Sequence, residues 1–358
     1  MLETNLIEKI NAGIRLDARE GLYLLQKMPL GELMRYAHAS RIRHHPDNKV
    51  TFVFDTNPNY TNVCDTICIF CAFWRSEKSR EAYTLTPEEL AERVDNAWHA
   101  GATTVLFQGG HNPHVRLKDF IDYIRAIQKK TPVIHIHPFS PSEIIYMAEL
   151  ENIPTVEVLQ VLWNEGIRTI PGGGAEILSD RVRKLISPKK NSSDQWLSVM
   201  KEAHQMGFKT TATMMYGHEE TDEEIVEHLL KLRALQDCTS GFSSFIPWSF
   251  KPGNSTLGKK IKQAAPSIKY LRIISTARLL LDNFPNIQSS WFSEDKRTGQ
   301  LGLLAGANDF GGLLFEENVL KKAKHAPKTN LETTLETIRQ TGFIPAQRNT
   351  YYQIIREY

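Results

Sequence analysis

Three of the four cysteines in this 358-residue chain, Cys64, Cys68 and Cys71, stand within eight residues in the stretch Asn62-Val-Cys-Asp-Thr-Ile-Cys-Ile-Phe-Cys-Ala-Phe-Trp74. The rival reading is a set of buried thiols or a disulfide pair, but packing cysteines scatter rather than cluster. The group therefore reads as a metal site. Three thiolates hold three irons of a cubane cluster and leave the fourth iron open, whereas closed iron-sulfur and structural zinc sites take a fourth protein ligand. No such ligand lies nearby in the sequence. Cys238, remote from the group, is expected to have a plain packing role.

Positioning such a site needs a frame, and the chain alternates short β-branched runs with longer helical segments. Strands are expected at 50–55, 103–108, 133–137, 167–170, 209–215 and 241–247, with weaker ones at 287–291 and 303–307. Successive starts are mostly one βα unit apart, which predicts an α/β fold of the (β/α)8 TIM-barrel type. Thr86 with Pro87 and Glu89, and Thr221 with Glu224, carry the chemistry of helix starts. Residues 1–49, with helical patterning at 6–27 and 31–43, form an N-terminal helical extension to a barrel and C-terminal segment at 50–358. The formal net charge of +2 gives no reason to expect nucleic acid or an anionic membrane as partner. No apolar run is long enough to insert in a membrane, residues 1–8 show no basic region followed by an apolar run, and free thiols suit a reducing compartment, so a cytoplasmic location is expected.

In a barrel of this kind chemistry gathers in the loops that follow the strands. Those loops hold the cysteines, Gln108-Gly-Gly-His-Asn-Pro113, His137-Pro-Phe-Ser140, Pro171-Gly-Gly-Gly-Ala-Glu-Ile177, Met214-Met-Tyr-Gly-His-Glu-Glu-Thr221 and Pro247-Trp-Ser-Phe-Lys-Pro-Gly253. The triple glycine lacks a following Gly-Lys-Ser/Thr, which excludes a nucleotide triphosphate cradle. Gly109 and Gly110 either make a turn or let main chain approach a cationic ligand closely. Glu176 is either a helix-start glutamate or a ligand contact at the mouth. His135 and His137 alternate with isoleucines and point into the barrel, where each either binds substrate or satisfies a core carbonyl. Phe70 either packs within its loop or lies beside a ligand.

The cysteine spacing resembles the signature of the radical S-adenosylmethionine (SAM) superfamily. The resemblance becomes specific through Asn59-Tyr-Thr-Asn-Val-Cys64, Cys68-Ile-Phe-Cys-Ala-Phe73, the 108–113 and 171–178 loops, Thr211-Ala-Thr-Met-Met-Tyr-Gly-His218, Pro247-Trp-Ser-Phe250, Gly306-Ala-Asn-Asp-Phe-Gly311 with Glu316-Glu-Asn318, and Gln347-Arg-Asn-Thr350. Together these are similar to the cyclic dehypoxanthinyl futalosine synthases, which act in the futalosine route to menaquinone. Aminofutalosine synthase and the two halves of the FO synthase share the cluster loop and form the alternative reading. His111 departs from the superfamily's Gly-Gly-acid pattern, and 65–67 and 289–295 depart from the cyclase pattern.

The resemblance implies a 4Fe-4S cluster on Cys64, Cys68 and Cys71, with SAM on its open iron. It implies SAM contacts from Phe70, Gln108, Gly109, Gly110, Ser140 and Glu176, with one cation among Arg181, Arg183, Lys184, Lys189 and Lys190 reaching the SAM carboxylate. His137 and Arg348 would bind substrate, Arg348 by clamping a benzoate, and Asp309, Glu316 or Glu317 would supply a base. The implied reaction removes hydrogen from C4' of dehypoxanthine futalosine, and the carbon radical adds to the substrate's own ring. A flavodoxin or ferredoxin would supply the low-potential electron.

Overall fold

The β-branched runs become strands because helices with strong start signals separate them. Thr86 and Thr221 accept from the Glu89 and Glu224 amides, and each glutamate reaches back in a capping box. The computed structural model describes residues 2–313 and 315–358. Helices Leu2–Ala12, Ala18–Gln26 and Leu30–His44 come first. The strands are β1 (Lys49–Val53), β2 (Asp55–Thr56), β3 (Thr104–Phe107), β4 (His135–Pro138), β5 (Thr169–Ile170), β6 (Lys209–Tyr216), β7 (Phe242–Ser249), β8 (Asn286–Ile287), β9 (Asp309–Gly312), β10 (Ile344–Arg348) and β11 (Ile354–Glu357).

Parallel ladders run β2-β3-β4, β5-β6-β7-β8 and β10-β1-β9, with β11 antiparallel on β10. Because β1 and β2 are one strand broken at Phe54, the first and third groups join. A bridge from Gln288 to Asp309 joins β8 to β9. Among the described residues the β4/β5 seam has no backbone ladder or bridge; there Thr169 Oγ1 lies 2.7 Å from both His135 Nε2 and His137 Nδ1. Eight strand positions thus surround one interior, the (β/α)8 arrangement. Two apolar clusters fill the layer between strands and helices, one around Trp196, Phe245 and Ile274, the other around Phe107, Phe139 and Ile124.

Two expected strands differ. Residues 303–307 are not a strand: Lys296–Leu304 is a helix, started by Asp295, whose side chain accepts from Thr298 N–H. Gly306, at φ +111°, turns the chain into β9 two residues further on. The apolar run there is therefore a buried helix end. At 287–291 only the first residue is in a strand.

The C-terminal segment closes the floor. Arg348, at the end of β10, donates from Nε to Asp309 Oδ2 (2.5 Å) and from Nη2 to Asp309 Oδ1 (3.0 Å). Thr51 Oγ1 and the Gly311 amide also donate to this carboxylate, at 2.6 and 2.9 Å. Burial works against the Arg348 charge, yet the attraction of Asp309 outweighs it and raises the pKa. Asp309→Ala leaves that guanidinium buried and unpaired, and the expected loss is about 3–5 kcal/mol. Thermal denaturation should show a clear fall in midpoint for Asp309→Ala and a smaller one for the double variant Asp309→Leu/Arg348→Met. Equal falls would show that the pair is not what holds this seam.

Candidate active site at the mouth of the barrel

The cysteine loop has little regular structure, so its amides and carbonyls need partners from outside a ladder. Arg75 supplies several. Its Nη1 donates to the carbonyls of Ala72 (3.0 Å), Phe73 (3.3 Å) and Trp74 (2.8 Å). Its own main chain donates to Asn62 O at 2.7 Å and accepts from the Cys64 amide at 3.1 Å. Glu81 holds the guanidinium from outside at 2.6 Å. On the other flank the Asp65 amide donates to His111 O and the Ile69 amide to Ile186 O.

So held, Cys64, Cys68 and Cys71 line one cavity of about 410 Å³ as free thiols, whereas Cys238 is exposed rather than packed. Burial pushes the Cys68 thiol up to about 12, against the nearby Lys190 charge. Burial also raises Cys71, against the amides of Phe73 and Trp74. Iron displaces those protons, so assembly takes the cysteines as thiolates. Among the described residues no three His, Cys, Asp or Glu groups are arranged around a single metal ion. Thiols spaced along a wall fit a cluster, where each meets its own iron.

Gly109 and Gly110 bring β3's loop against the cysteine loop. A Cβ on Gly110 would sit 2.1 Å from Val63 O, and one on Gly109 would meet the Tyr60 ring at 2.5 Å. Neither glycine has positive φ, so close approach is their role. The Gly109 amide donates to Glu143 Oε1 at 3.0 Å. Glu143 also accepts from the Ser140 amide (2.7 Å), the Ser140 hydroxyl (2.8 Å) and Tyr60 OH (3.3 Å). Ser140 itself caps Pro141–Glu151 with Glu143 in a capping box. His111 is stacked on Tyr146 and lies 2.9 Å from Thr66 Oγ1. Burial, aided by Lys190, drives its pKa down to about 3, so it is a neutral support for the loop.

Across the cavity, Glu176 sits in left-handed backbone at φ +45°. Its carbonyl is fixed by the Met215 amide at 2.8 Å, and its Oε1 accepts from Lys190 at 2.8 Å. A non-glycine residue in this conformation needs such constraint. Burial opposes the Lys190 charge, but Glu176 and Cys68 more than compensate and its pKa is raised. The ammonium lies 5.8 Å above the Phe70 ring. Of the five cations in this stretch, Lys190 alone is among the cavity-lining residues.

Deeper in, the wall is formed by His137, Asp55, Thr104, Arg348, Thr350 and Tyr352. Arg348 stacks on Tyr352 at 3.9 Å while held by Asp309, so it is a buried structural cation rather than a free clamp. Among the expected bases, Asp309 is in that pair. Glu317 lines the cavity but accepts from the amides of Val319 (3.1 Å) and Leu320 (2.6 Å). Glu316 pairs with Arg93 at 3.2 Å, half-exposed, outside the cavity lining. Asp55 and Glu143 are buried acids that the sequence reading passed over. Asp55 carries a signal in retrospect, an acid at the end of an apolar strand run.

Replacing any of Cys64, Cys68 or Cys71 with Ala should abolish iron binding in anaerobically reconstituted protein, while Cys238→Ala should retain it. Gly110→Ala should also lose iron, because its methyl would displace the Val63 carbonyl beside Cys64. Full iron content in Gly110→Ala would remove the close-approach role.

Residues 58–232 match the radical SAM superfamily, and residues 239–357 match the CofH/MqnC C-terminal region. A cyclic dehypoxanthine futalosine synthase of Halalkalibacterium halodurans is 38% identical over 99% of this chain and 95% of its own length. A protein of that name from Streptomyces coelicolor is 36% identical over 97% and 88%. A 5-amino-6-(D-ribitylamino)uracil--L-tyrosine 4-hydroxyphenyl transferase of Methanopyrus kandleri is 38% identical over 98% and 94%. Among solved structures, methylornithine synthase superposes with a TM-score of 0.72 at 18% identity, covering 95% of this chain and 97% of that one. The hydrogenase maturase HydG superposes at 0.77 and 17%, covering 98% and 77%. The three cavity-lining thiols, the glycine loops packed against them and these full-length similarities place the chain in the radical SAM superfamily, as an enzyme of the CofH/MqnC-type family whose cofactors are a 4Fe-4S cluster and SAM.

Proposed function

We propose that this enzyme converts dehypoxanthine futalosine to cyclic dehypoxanthinyl futalosine, in the futalosine route to menaquinone. The observation that carries the reading is that the cysteine wall, the Gln108–Pro113 loop and the Pro247–Phe250 segment meet in one cavity: Gln108, Gly109, Gly110, His111 and Trp248 all line it. Those two segments resemble the cyclases more than the other members of the group. The cyclase and transferase relatives are equally similar overall, so the reading rests on these cavity residues.

When bound, the cluster and SAM supply a radical able to take a hydrogen atom from an unactivated carbon. The chain's own residues bind, orient and shield. Lys190 presents a buried ammonium at the mouth for the SAM carboxylate, and Glu176 keeps that ammonium charged and in place. Phe70 offers a ring face beside it. His137, whose pKa burial lowers far below the usual range, stays neutral and turns toward the substrate space with Nδ1 against Thr169. Arg348 presents positive charge from the floor without leaving Asp309. Ring closure within one molecule gains from holding the reacting carbons at near-attack distance, and an enclosed wall protects the carbon radical from solvent. A low-potential flavodoxin or ferredoxin is the proposed reductant.

Two outcomes test this. Glu176→Gln should bind SAM about tenfold more weakly with iron content unchanged, the loss of one charge-assisted contact; unchanged affinity measured by calorimetry would return Glu176 to a structural part. Anaerobic turnover of substrate deuterated at C4' should give singly deuterated 5'-deoxyadenosine and a product with two fewer hydrogens than the substrate. Turnover of tyrosine with 5-amino-6-(D-ribitylamino)uracil instead would assign the chain to the transferases.

A further inference from the structure

The cyclisation just described leaves one chemical requirement unmet by any residue assigned so far. Addition of the carbon radical to the substrate's ring gives an adduct radical, which regains its unsaturation by losing one proton and one electron. The ring C–H bond breaks, its electron pair re-forms the π bond, and the surplus electron leaves to an oxidised iron-sulfur cluster. The proton needs an acceptor inside the cavity.

The carboxylates that line the cavity, and Asp309 beside it, are engaged in all cases but one. Asp309 is held by Arg348, Thr51 and the Gly311 amide. Glu143 is held by Ser140, Gly109 and Tyr60, Glu176 by Lys190, and Glu317 by two amides of its own loop. His137 is engaged at Nδ1 by Thr169, and burial keeps it neutral only by making it a poor proton acceptor. Asp55 differs. It lines the same cavity, is 7% exposed, and its Oδ1 has no hydrogen-bond partner. The carboxyl packs against Gly312, where a Cβ would lie 2.2 Å from Oδ1 and 2.3 Å from Oδ2, so only glycine leaves room for it. A buried carboxylate oxygen without a partner is costly to keep and calls for a ligand or a proton.

We propose that Asp55 is the base that takes the ring proton in the closing step, an assignment that rests on the cyclase reading of this site. Placement supports it: β2 sets the carboxyl in the lining that it shares with the cysteines, His137 of β4 and Arg348 of β10. Burial raises the Asp55 pKa to about 7, opposed by the Arg348 charge and assisted by that of Asp309. The acid therefore gains its basic form as pH rises through neutrality, the range in which a base is most effective. Of the titratable groups facing it, Arg348 is raised by its pairing with Asp309, His137 is driven far below neutrality by burial, and burial raises Tyr352 further above it.

The test is the ratio of cyclised product to 5'-deoxyadenosine formed from C4'-deuterated substrate. In Asp55→Asn, deuterium should still enter 5'-deoxyadenosine while the ratio falls about 100-fold or more, the usual loss on removing a general base. An unchanged ratio overturns the proposal, and so does a parallel fall in labelled 5'-deoxyadenosine and product, which would mark Asp55 as a substrate-positioning residue. In the wild-type holoenzyme the ratio should rise across about pH 5.5 to 8.5 with a midpoint near 7; a flat ratio overturns it without needing a variant. If the wild type transfers no deuterium at all, the cyclase reading falls and the proposal falls with it, whereas normal wild-type transfer with an unaltered Asp55→Asn ratio removes the proposal alone.

Discussion

The Arg348–Asp309 pair is the interaction on which the floor of the barrel depends. It ties β10 to β9, and through Thr51 to β1, where the ring of strands closes. Both charges are buried, so either alone would be strongly unfavourable, and bidentate geometry with two further donors is what makes the pair tenable. The pair also governs its neighbour. Because Arg348 is occupied by Asp309 and by the Tyr352 ring, it gives Asp55 attraction but no hydrogen bond, and burial then dominates the Asp55 carboxyl.

The cavity is electrostatically divided by the same logic. At the mouth, Lys190 pairs with Glu176 at 2.8 Å, and that pairing sustains the ammonium against burial. His111 and His137 are desolvated and neutral, so they contribute shape and hydrogen bonding without competing for protons near neutrality. The lining therefore holds its fixed charges in local pairs. This suits a site whose contribution is placement and exclusion of water.

The cysteine triplet, the mouth loops and six strands were legible because each has a local cause: thiol clustering, glycines after apolar runs, β-branched segments between capped helices. The strand expected at 303–307 failed for a local reason too, since Leu303, Ala305 and Ala307 have the same apolar spacing at a buried helix end as in a strand. Side-chain roles were less legible. Nothing local to Asp309 or Arg348 says that they will pair across 39 positions, and nothing local to Asp55 says that its neighbours will all be engaged elsewhere. Ser140, expected as a ligand contact, lines the cavity and is also a helix cap whose partner, Glu143, anchors Gly109. Such facts arise only when distant strands are brought side by side.

This division between local and assembled features explains how one scaffold serves different chemistry. The thiol loop is fixed by short-range contacts, from Arg75 to the carbonyls of 72–74 and from Gly110 to Val63, and changing any of them disturbs the cluster itself. The floor is fixed by long-range pairing through the C-terminal hairpin of β10 and β11, which can carry new side chains without touching the cysteines. The same fold is found in solved proteins less than 20% identical to this one, so the architecture does not by itself set the reaction. In this chain, once the strands have closed, the floor carboxylate oxygen left without a hydrogen-bond partner among the described residues is Oδ1 of Asp55.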